Sequence, residues 1–215
     1  FADRMVMSPL KAMCLHVSHD CNLRCRYCFA GQGDYGGEKQ IMSAEVARQA
    51  VDFLIARSHG RHNLEMDFFG GEPLLNLDVV RDTVAYARSL ESAHNKRFRF
   101  TMTTNGVLLN DETADYLNRE MSNVVLSLDG RRAVNDAMRP NAGGRGSYDG
   151  IVPKYQRFVA KRGDGDYYVR GTFTKENLDF SEDVLHLAAL GFDQVSVEPV
   201  VSDPALPFSI REEDL

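Results

Sequence analysis

The chain has 215 residues, 43% of them hydrophobic, a length and composition typical of one globular domain with a large core. The net charge of -6 argues against a nucleic-acid-binding surface, which needs clustered Lys and Arg in excess. The sequence contains no apolar run of about 18 residues and no basic, apolar leader, so it predicts neither a membrane span nor a secretory signal. We therefore expect a cytoplasmic protein that acts on a small molecule or a peptide.

The first predicted elements are a polar lead-in, a strand, a long loop and a helix. Residues 1–11 are expected to be the lead-in or linker from an N-terminal domain outside this sequence. The apolar run at 12–18 has the length of a strand and leads directly into a Cys- and Gly-rich segment at 19–40. Ser43 fits the N-cap of a helix to residue 58, because apolar residues then recur at helical spacing.

The alternation of strand and helix continues to residue 200. Further strands are predicted at 64–69, 98–104, 122–129, 166–174 and 193–200. Helices are predicted at 77–94, after Asn110, at 148–161 and at 181–190, with a Gly-rich loop after the fourth strand. Each strand is an apolar run, which is typical of parallel strands that helices cover and right-handed crossovers join. The sequence therefore predicts an α/β fold, a parallel (β/α)6 sheet curved into a partial TIM barrel over residues 12–200.

Residues 201–215 are predicted to begin the last helix of this barrel. Ser209 and Glu212 have the spacing of a capping box, in which the Ser side chain caps the helix and the Glu reaches back. The chain would then stop where a helix starts, so we expect it to be part of a longer enzyme.

All four cysteines lie within the first 28 residues, a poor distribution for disulfides that favours metal binding or catalysis. Cys21, Cys25 and Cys28 have the spacing C-x3-C-x2-C on the loop that leaves the first strand, at the sheet end where active sites collect. Three thiolates there can bind three irons of a 4Fe-4S cluster and leave the fourth iron open. The alternative is a zinc site that His16 or His19 completes.

Three residues near this loop are predicted to be structural. Cys14 lies within the first strand among apolar neighbours, so we expect a buried thiol that binds no cluster. Phe68 and Phe69 end the second strand and are expected to pack in the core.

The cysteine loop resembles the signature of the radical S-adenosylmethionine (SAM) superfamily, with Tyr27 as the aromatic residue before the last Cys. The resemblance implies one 4Fe-4S cluster on Cys21, Cys25 and Cys28, with the amino and carboxylate groups of SAM on its open iron and Tyr27 at the cofactor. It also implies that an electron from the reduced cluster cleaves SAM to methionine and a 5'-deoxyadenosyl radical, which abstracts a substrate hydrogen. In such enzymes the cofactors carry the hard chemistry and the protein orients them.

A Gly-rich motif follows the second strand. Gly70, Gly71, Glu72 and Pro73 resemble the GGEP motif that receives the SAM amino group in this superfamily. Glycines let the backbone approach a ligand, and carbonyl or carboxylate oxygens accept hydrogen bonds from an ammonium group. Taken alone, the four residues also fit an ordinary turn.

Polar residues on the later strands resemble further SAM contacts. Asn105, Ser127 and Asp129 resemble positions that line the SAM ribose and methionyl carboxylate, although Asn-Gly and Asp-Gly are also strong turn formers. Arg170 interrupts the apolar fifth strand, where a charge needs a partner. By resemblance this partner is the SAM carboxylate, and the alternative is a structural salt bridge. Glu198 falls near the adenine region of the family.

Longer phrases resemble the maturases of six-cysteine peptides (SCIFF), which belong to the SPASM-containing radical SAM group. LEMDFFGGEPLLN at 64–76 and FTMTTNGVLLNDE at 100–112 are examples, and such phrases cover nearly the whole chain. The resemblance implies an oxidoreductase that forms thioether crosslinks from a Cys sulfur to an acceptor carbon in a ribosomally made, Cys-rich precursor peptide (a RiPP precursor). It also implies a reducing electron donor such as flavodoxin or ferredoxin.

The same resemblance implies domains that this sequence does not contain. Family members carry an N-terminal precursor-recognition domain and a C-terminal SPASM domain that holds auxiliary 4Fe-4S clusters. With three of the four cysteines assigned, Cys14 alone cannot bind such a cluster. Two alternatives stay open. An activator of another protein substrate, of the sulfatase-maturase type, would share the cysteine loop and GGEP. A zinc-stabilised peptide-binding scaffold, from a different functional class, would use the cysteine loop for structure alone.

Overall fold

Six parallel strands form one sheet in the computed structural model, which describes residues 8–214. The strands follow chain order in the sheet, and each pairs in parallel with the next. They are β1 (Ala12–Ser18), β2 (Asn63–Gly70), β3 (Arg97–Thr104), β4 (Asn123–Ser127), β5 (Tyr167–Phe173) and β6 (Val195–Pro199). The predicted α/β fold with the parallel sheet of a partial TIM barrel is confirmed. Residues 1–7 of the predicted lead-in lie outside the described part of the chain.

Helices connect consecutive strands and cover one face of the sheet. They are α1 (Ala44–Arg57), α2 (Leu77–His94), α3 (Asp111–Glu120), α4 (Arg132–Met138), α5 (Tyr148–Arg162) and α6 (Phe180–Ala189). The side chain of Ser43 accepts a hydrogen bond from the Val46 amide, which confirms the predicted N-cap of α1. Within residues 8–214, no helix has the length and apolar character needed to cross a membrane.

Each strand turns one face to the helices and the other to the uncovered side of the sheet, because successive side chains point in opposite directions. Phe68 on β2 and Phe100 on β3 are fully buried under the helices, and their rings stack 5.8 Å apart. We call the uncovered side the inner face. It carries, among others, Cys14, Asp67, Thr103, Ser127 and Arg170.

Two predictions about buried residues are wrong because of this alternation. Cys14 precedes the buried Leu15 and is exposed on the inner face, so it is not a buried structural thiol. Phe69 follows the buried Phe68 and lies half-buried on the inner face, where its ring approaches that of His16. The apolar neighbours that suggested burial belong to the opposite face of each strand.

Two segments differ from the predicted secondary structure. Helix α4 forms within the segment predicted as a Gly-rich loop, and its N-cap residue Arg131 makes no side-chain cap that would mark a helix start. Residues 201–214 form turns and one 3-10 turn, Glu212–Asp214. The predicted capping box is wrong, because the Ser209 hydroxyl donates instead to the carbonyl oxygen of Asp203 at 2.5 Å.

Candidate cofactor site

The three cysteines of the predicted cluster motif lie on the loop that follows β1. All three are free thiols with partly accessible side chains. The loop folds back on itself: the Leu23 amide donates to the Cys21 sulfur at 3.4 Å, and the Cys28 amide donates to the Cys25 carbonyl oxygen at 3.2 Å. The thiols therefore lie at the carboxyl end of the parallel strands, where the active sites of such folds are built.

The C-terminal end of α4 and the residues that follow it lie alongside this cysteine loop. The amide of Arg24 donates to the carbonyl oxygen of Pro140 at 2.7 Å, and the amide of Arg26 donates to that of Met138 at 2.9 Å. Two backbone hydrogen bonds thus hold the middle of the loop against a part of the chain that is far away in sequence.

The GGEP segment is joined to the start of the cysteine loop. The Gly71 amide donates to the Ser18 carbonyl oxygen at 2.8 Å, and the Glu72 amide donates to that of Asp20 at 2.9 Å. A Cβ atom on Gly71 would lie 2.2 Å from the Asp20 carbonyl oxygen, and one on Gly70 would lie 2.4 Å from that of Ser18. Only glycine permits this approach, so the motif and the loop are fixed relative to each other.

Replacing Gly71 with alanine is expected to displace the cysteine loop, because the added methyl group meets backbone atoms that cannot move aside. We expect a loss of about 1–3 kcal/mol of unfolding free energy. Most of the iron bound after anaerobic reconstitution should also be lost. Thermal denaturation and iron analysis measure both effects. Gly60→Ala is the matched control, since nothing lies within 4 Å of its added carbon. Equal stability and iron content in the two variants would refute this explanation of the motif.

The Glu72 carboxylate points into the protein interior and is not exposed beside the cysteine loop. It is fully buried and accepts hydrogen bonds from the Leu74 amide at 3.0 Å, the Thr104 hydroxyl at 2.8 Å and the Asn105 amide at 2.8 Å. Burial raises the pKa of Glu72, and these hydrogen bonds oppose the rise. The side chain therefore joins the ends of β2 and β3. Backbone carbonyls are the groups of the motif that remain for an ammonium ligand.

The other predicted residues at this end of the sheet have different environments. The Asn105 side chain donates to the Asn22 side chain at 2.7 Å and lies 3.5 Å from the Cys21 sulfur, so it ties β3 to the cysteine loop. Ser127 ends β4 on the inner face. Pro73 is buried at the start of a 3-10 turn, where it supports the motif without facing the site.

On the inner face, Arg170 of β5 pairs with Glu198 of the neighbouring strand β6. Their charged groups lie 2.5 Å apart, and the side chains are 47% and 49% exposed. The salt bridge given as the alternative role for Arg170 is therefore present. A pair this exposed contributes only about 0–1 kcal/mol to stability. The guanidinium keeps donors that can bind an anion on the inner face.

Tyr27 and Asp129 belong to a buried network with Arg139, which was not among the predicted site residues. The Tyr27 hydroxyl lies 2.7 and 2.8 Å from the two Asp129 oxygens and accepts a hydrogen bond from Arg139 at 2.7 Å. One Asp129 oxygen also accepts from the Thr172 amide at 3.1 Å. Burial raises the pKa of Asp129, and Arg139 opposes the rise. Both Asp129 oxygens are thus engaged inside the protein, which argues against the predicted contact with a ribose.

Aromatic rings form one wall beside the cysteine loop. The ring of Tyr35 lies 4.8 Å from that of His16 and 4.9 Å from that of His19, measured between centroids. Burial lowers the pKa of His16, which favours its neutral form. Both histidines that could complete a zinc site are therefore packed against rings.

The loop supplies three thiols, the ligand type and number of an iron-sulfur cluster that keeps one iron open. Within residues 8–214, no three His, Cys, Asp or Glu side chains converge closely enough to hold a single metal ion. Zinc needs four ligands around one point, whereas cysteines that bind different irons of a cluster stand apart. Burial raises the pKa of Cys25 to about 11 and Arg139 opposes the rise, so bound iron must supply the remaining stabilisation of the thiolate.

Known proteins resemble the part of the chain that carries the cysteine loop and the GGEP segment. The sequence profile of the Radical SAM superfamily matches residues 15–161. An uncharacterized protein of Methanocaldococcus jannaschii is 28% identical over 195 residues, which cover 90% of this chain and 64% of that protein. The cysteine-type anaerobic sulfatase-maturating enzyme of Clostridium novyi is 27% identical over 150 residues, which cover 68% of this chain and 39% of that enzyme. The chain thus spans less than two thirds of either relative.

A solved structure has a similar architecture. Native anSMEcpe with bound AdoMet matches with a TM-score of 0.81 and 20% identity, over 96% of this chain and 57% of that chain. At this identity the likeness shows the fold alone, which is the partial TIM barrel described above.

Proposed function

Because the chain belongs to the radical SAM superfamily, we propose that it is the core of an enzyme that binds one 4Fe-4S cluster and SAM at the cysteine loop. When bound and reduced, these cofactors supply the cleavage of SAM to methionine and a 5'-deoxyadenosyl radical that removes a substrate hydrogen. The observation that carries the proposal is the position of Cys21, Cys25 and Cys28 on one loop, held against the GGEP segment at the carboxyl end of the sheet.

The residues of the chain bind and orient the cofactors in this proposal. The three thiolates bind three irons, which leaves one iron open. The carbonyl groups of Gly70 and Gly71 receive the SAM amino group, because glycine lets a ligand approach the backbone. Ser127 and Arg170 on the inner face donate hydrogen bonds to the SAM carboxylate, and Asn105 lies between them and the cysteine loop.

We propose a ribosomally made, Cys-rich precursor peptide as the substrate and thioether formation as the reaction. The phrases at 64–76 and 100–112, which resemble six-cysteine peptide maturases, support this choice. One hydrogen atom leaves the acceptor carbon to the radical, and the substrate thiol loses a proton and an electron as the carbon-sulfur bond forms. An auxiliary cluster in a SPASM domain outside this sequence would take the electron, since Cys14 is the single cysteine left in the chain.

A second candidate is the activation of another protein substrate, as in sulfatase maturation. The 27% identity to the Clostridium novyi sulfatase-maturating enzyme favours it. Both reactions begin with removal of a substrate hydrogen, so the same cysteine loop and inner face would serve either one.

The surroundings of the core follow from the same proposal. We propose residues 12–200 as the SAM-binding core, residues 1–11 as a lead-in or linker to it and residues 201–215 as its C-terminal end. A cluster with an open iron needs a reducing compartment and a strong reductant, for which a cytoplasmic flavodoxin or ferredoxin is suited.

Anaerobic reconstitution with iron and sulfide, followed by reduction with dithionite in the presence of SAM, tests the proposed activity. We expect release of methionine and 5'-deoxyadenosine, and no release by the triple variant Cys21→Ala, Cys25→Ala, Cys28→Ala. An intact cluster that leaves SAM uncleaved would sink the proposal. Zinc without iron or sulfide would favour the peptide-binding scaffold.

The substrate requires a separate measurement on the longer protein. We expect mass spectrometry to show loss of two hydrogens from a Cys-rich precursor peptide and no change in a sulfatase-derived peptide. The reverse result would favour the second candidate.

A further inference from the structure

Arg139 is a buried cation beside the cysteine loop, at the end of α4. It is only 8% exposed, and its guanidinium lies 3.6 Å from the Asp129 carboxylate. Its Nε atom is buried and has no hydrogen-bond partner among the residues that the structure describes. A buried charge with an unused donor costs several kcal/mol unless other interactions offset it. The ion pair with Asp129 alone therefore does not account for its position.

The hydrogen bonds around Arg139 converge on the cysteine loop. Its side chain donates at 2.7 Å to the hydroxyl of Tyr27, which lies between the second and third cysteines. The carbonyl groups of both its chain neighbours, Met138 and Pro140, accept amide hydrogens from the same loop. The position of Arg139 and the position of the loop are therefore determined together.

The positive charge of Arg139 also acts on the cysteine ligands. Its guanidinium donates to Tyr27, which stands two residues after Cys25 and one residue before Cys28. Thiolates are negative, and the potential of a cluster depends on the net charge and hydrogen bonds around it. A fixed cation in a buried position stabilises the more negative, reduced form.

We propose that Arg139 is a positioning residue of the SAM cluster: it fixes the cysteine loop through Tyr27 and makes the cluster easier to reduce. This inference rests on the proposed function, because it requires that the loop binds a cluster. Asp129 then orients Arg139 and Tyr27 and does not contact SAM.

The test compares Arg139→Gln, Arg139→Lys and Tyr27→Phe with the wild-type chain, all without SAM. One measurement is the rate at which a chelator removes iron from the anaerobic protein. The other is the midpoint potential of the cluster, from a dithionite titration followed by electron paramagnetic resonance (EPR). Arg132→Gln is the matched control, because Arg132 lies on α4 but pairs with Asp149 at the exposed surface.

Arg139→Gln is expected to speed iron loss about tenfold, the equivalent of one charge-assisted hydrogen bond. It is also expected to lower the ratio of reduced to oxidised cluster at a given potential about tenfold. This change corresponds to a midpoint potential that is about 59 mV more negative for a one-electron couple. Arg139→Lys and Tyr27→Phe both keep the charge, so we expect faster iron loss at the wild-type potential. If Arg139 served only to stabilise the fold, the rate of iron loss and the midpoint potential would not change independently of each other in these variants.

Wild-type rates and potentials in all three variants would overturn the inference. If Arg139→Gln does not fold, Arg139→Lys and Tyr27→Phe provide the test. Wild-type rates of iron loss in both of these variants would also overturn the inference. A wild-type chain that binds no cluster would refute the proposed function instead, before Arg139 is compared.

Discussion

Replacing Cys25 with alanine is expected to abolish cluster binding and, with it, the cleavage of SAM. The loop has three thiolates, and the two that remain cannot hold a cluster whose other irons have no protein ligand. After anaerobic reconstitution, we expect iron and sulfide to fall to the level of the variant that lacks all three cysteines. Colorimetric iron and sulfide analysis and the visible absorption spectrum measure this loss.

Cys14→Ala is the matched control for this experiment. Cys14 is exposed on the inner face and lies on β1, outside the loop, so its loss should leave the iron content unchanged. Unchanged iron in Cys25→Ala, or equal loss in both variants, would show that the motif does not define the cluster ligands.

Replacing Glu72 with alanine is expected to lower the free energy of unfolding by about 3 kcal/mol, because three buried donors lose their acceptor. Each unpaired donor costs about 1–3 kcal/mol, and water entering the new cavity recovers part of this cost. For a chain of this length the melting temperature should fall by roughly 6–12 °C. Thermal and chemical denaturation of the protein without cofactors provide the measurement.

Glu65→Ala is the control, since Glu65 lies on β2, the strand that leads into the GGEP segment, and forms an exposed ion pair with Lys11. We expect a change within about 0.5 kcal/mol for this variant. If Glu72 instead contacts SAM with its carboxylate, Glu72→Ala would keep wild-type stability and weaken SAM binding alone. That outcome would refute the interior role that its hydrogen bonds indicate.

Most of the fold was predictable because each element carries a local signal. The helix predicted at 77–94 has the same bounds in the structure, Leu77–His94, and the first strand likewise occupies 12–18. The sequence does not show which face each strand residue takes, because an apolar run hides the alternation between the two faces. For this reason the sequence wrongly predicts that Cys14 and Phe69 lie in the core. Helix α4 carries no start signal in the sequence, because it lacks a capping side chain.

The candidate site was predictable only where its residues are close in sequence. The three cysteines lie on one loop, so their spacing alone indicates a shared function. The partners of Glu72 and Asp129 depend on how distant elements pack, and spacing carries no information about them. Arg139 follows Tyr27 by 112 residues, and no periodicity or motif rule connects the two.

The central claim is that the cysteine loop holds a cluster with an open iron to which SAM binds. The most direct measurement is the EPR spectrum of the reduced wild-type protein before and after addition of SAM. We predict the signal of one reduced 4Fe-4S cluster, which changes when SAM is added because a new ligand alters the surroundings of the open iron. A spectrum without a cluster signal, or a cluster signal that SAM leaves unchanged, would contradict this assignment of the loop.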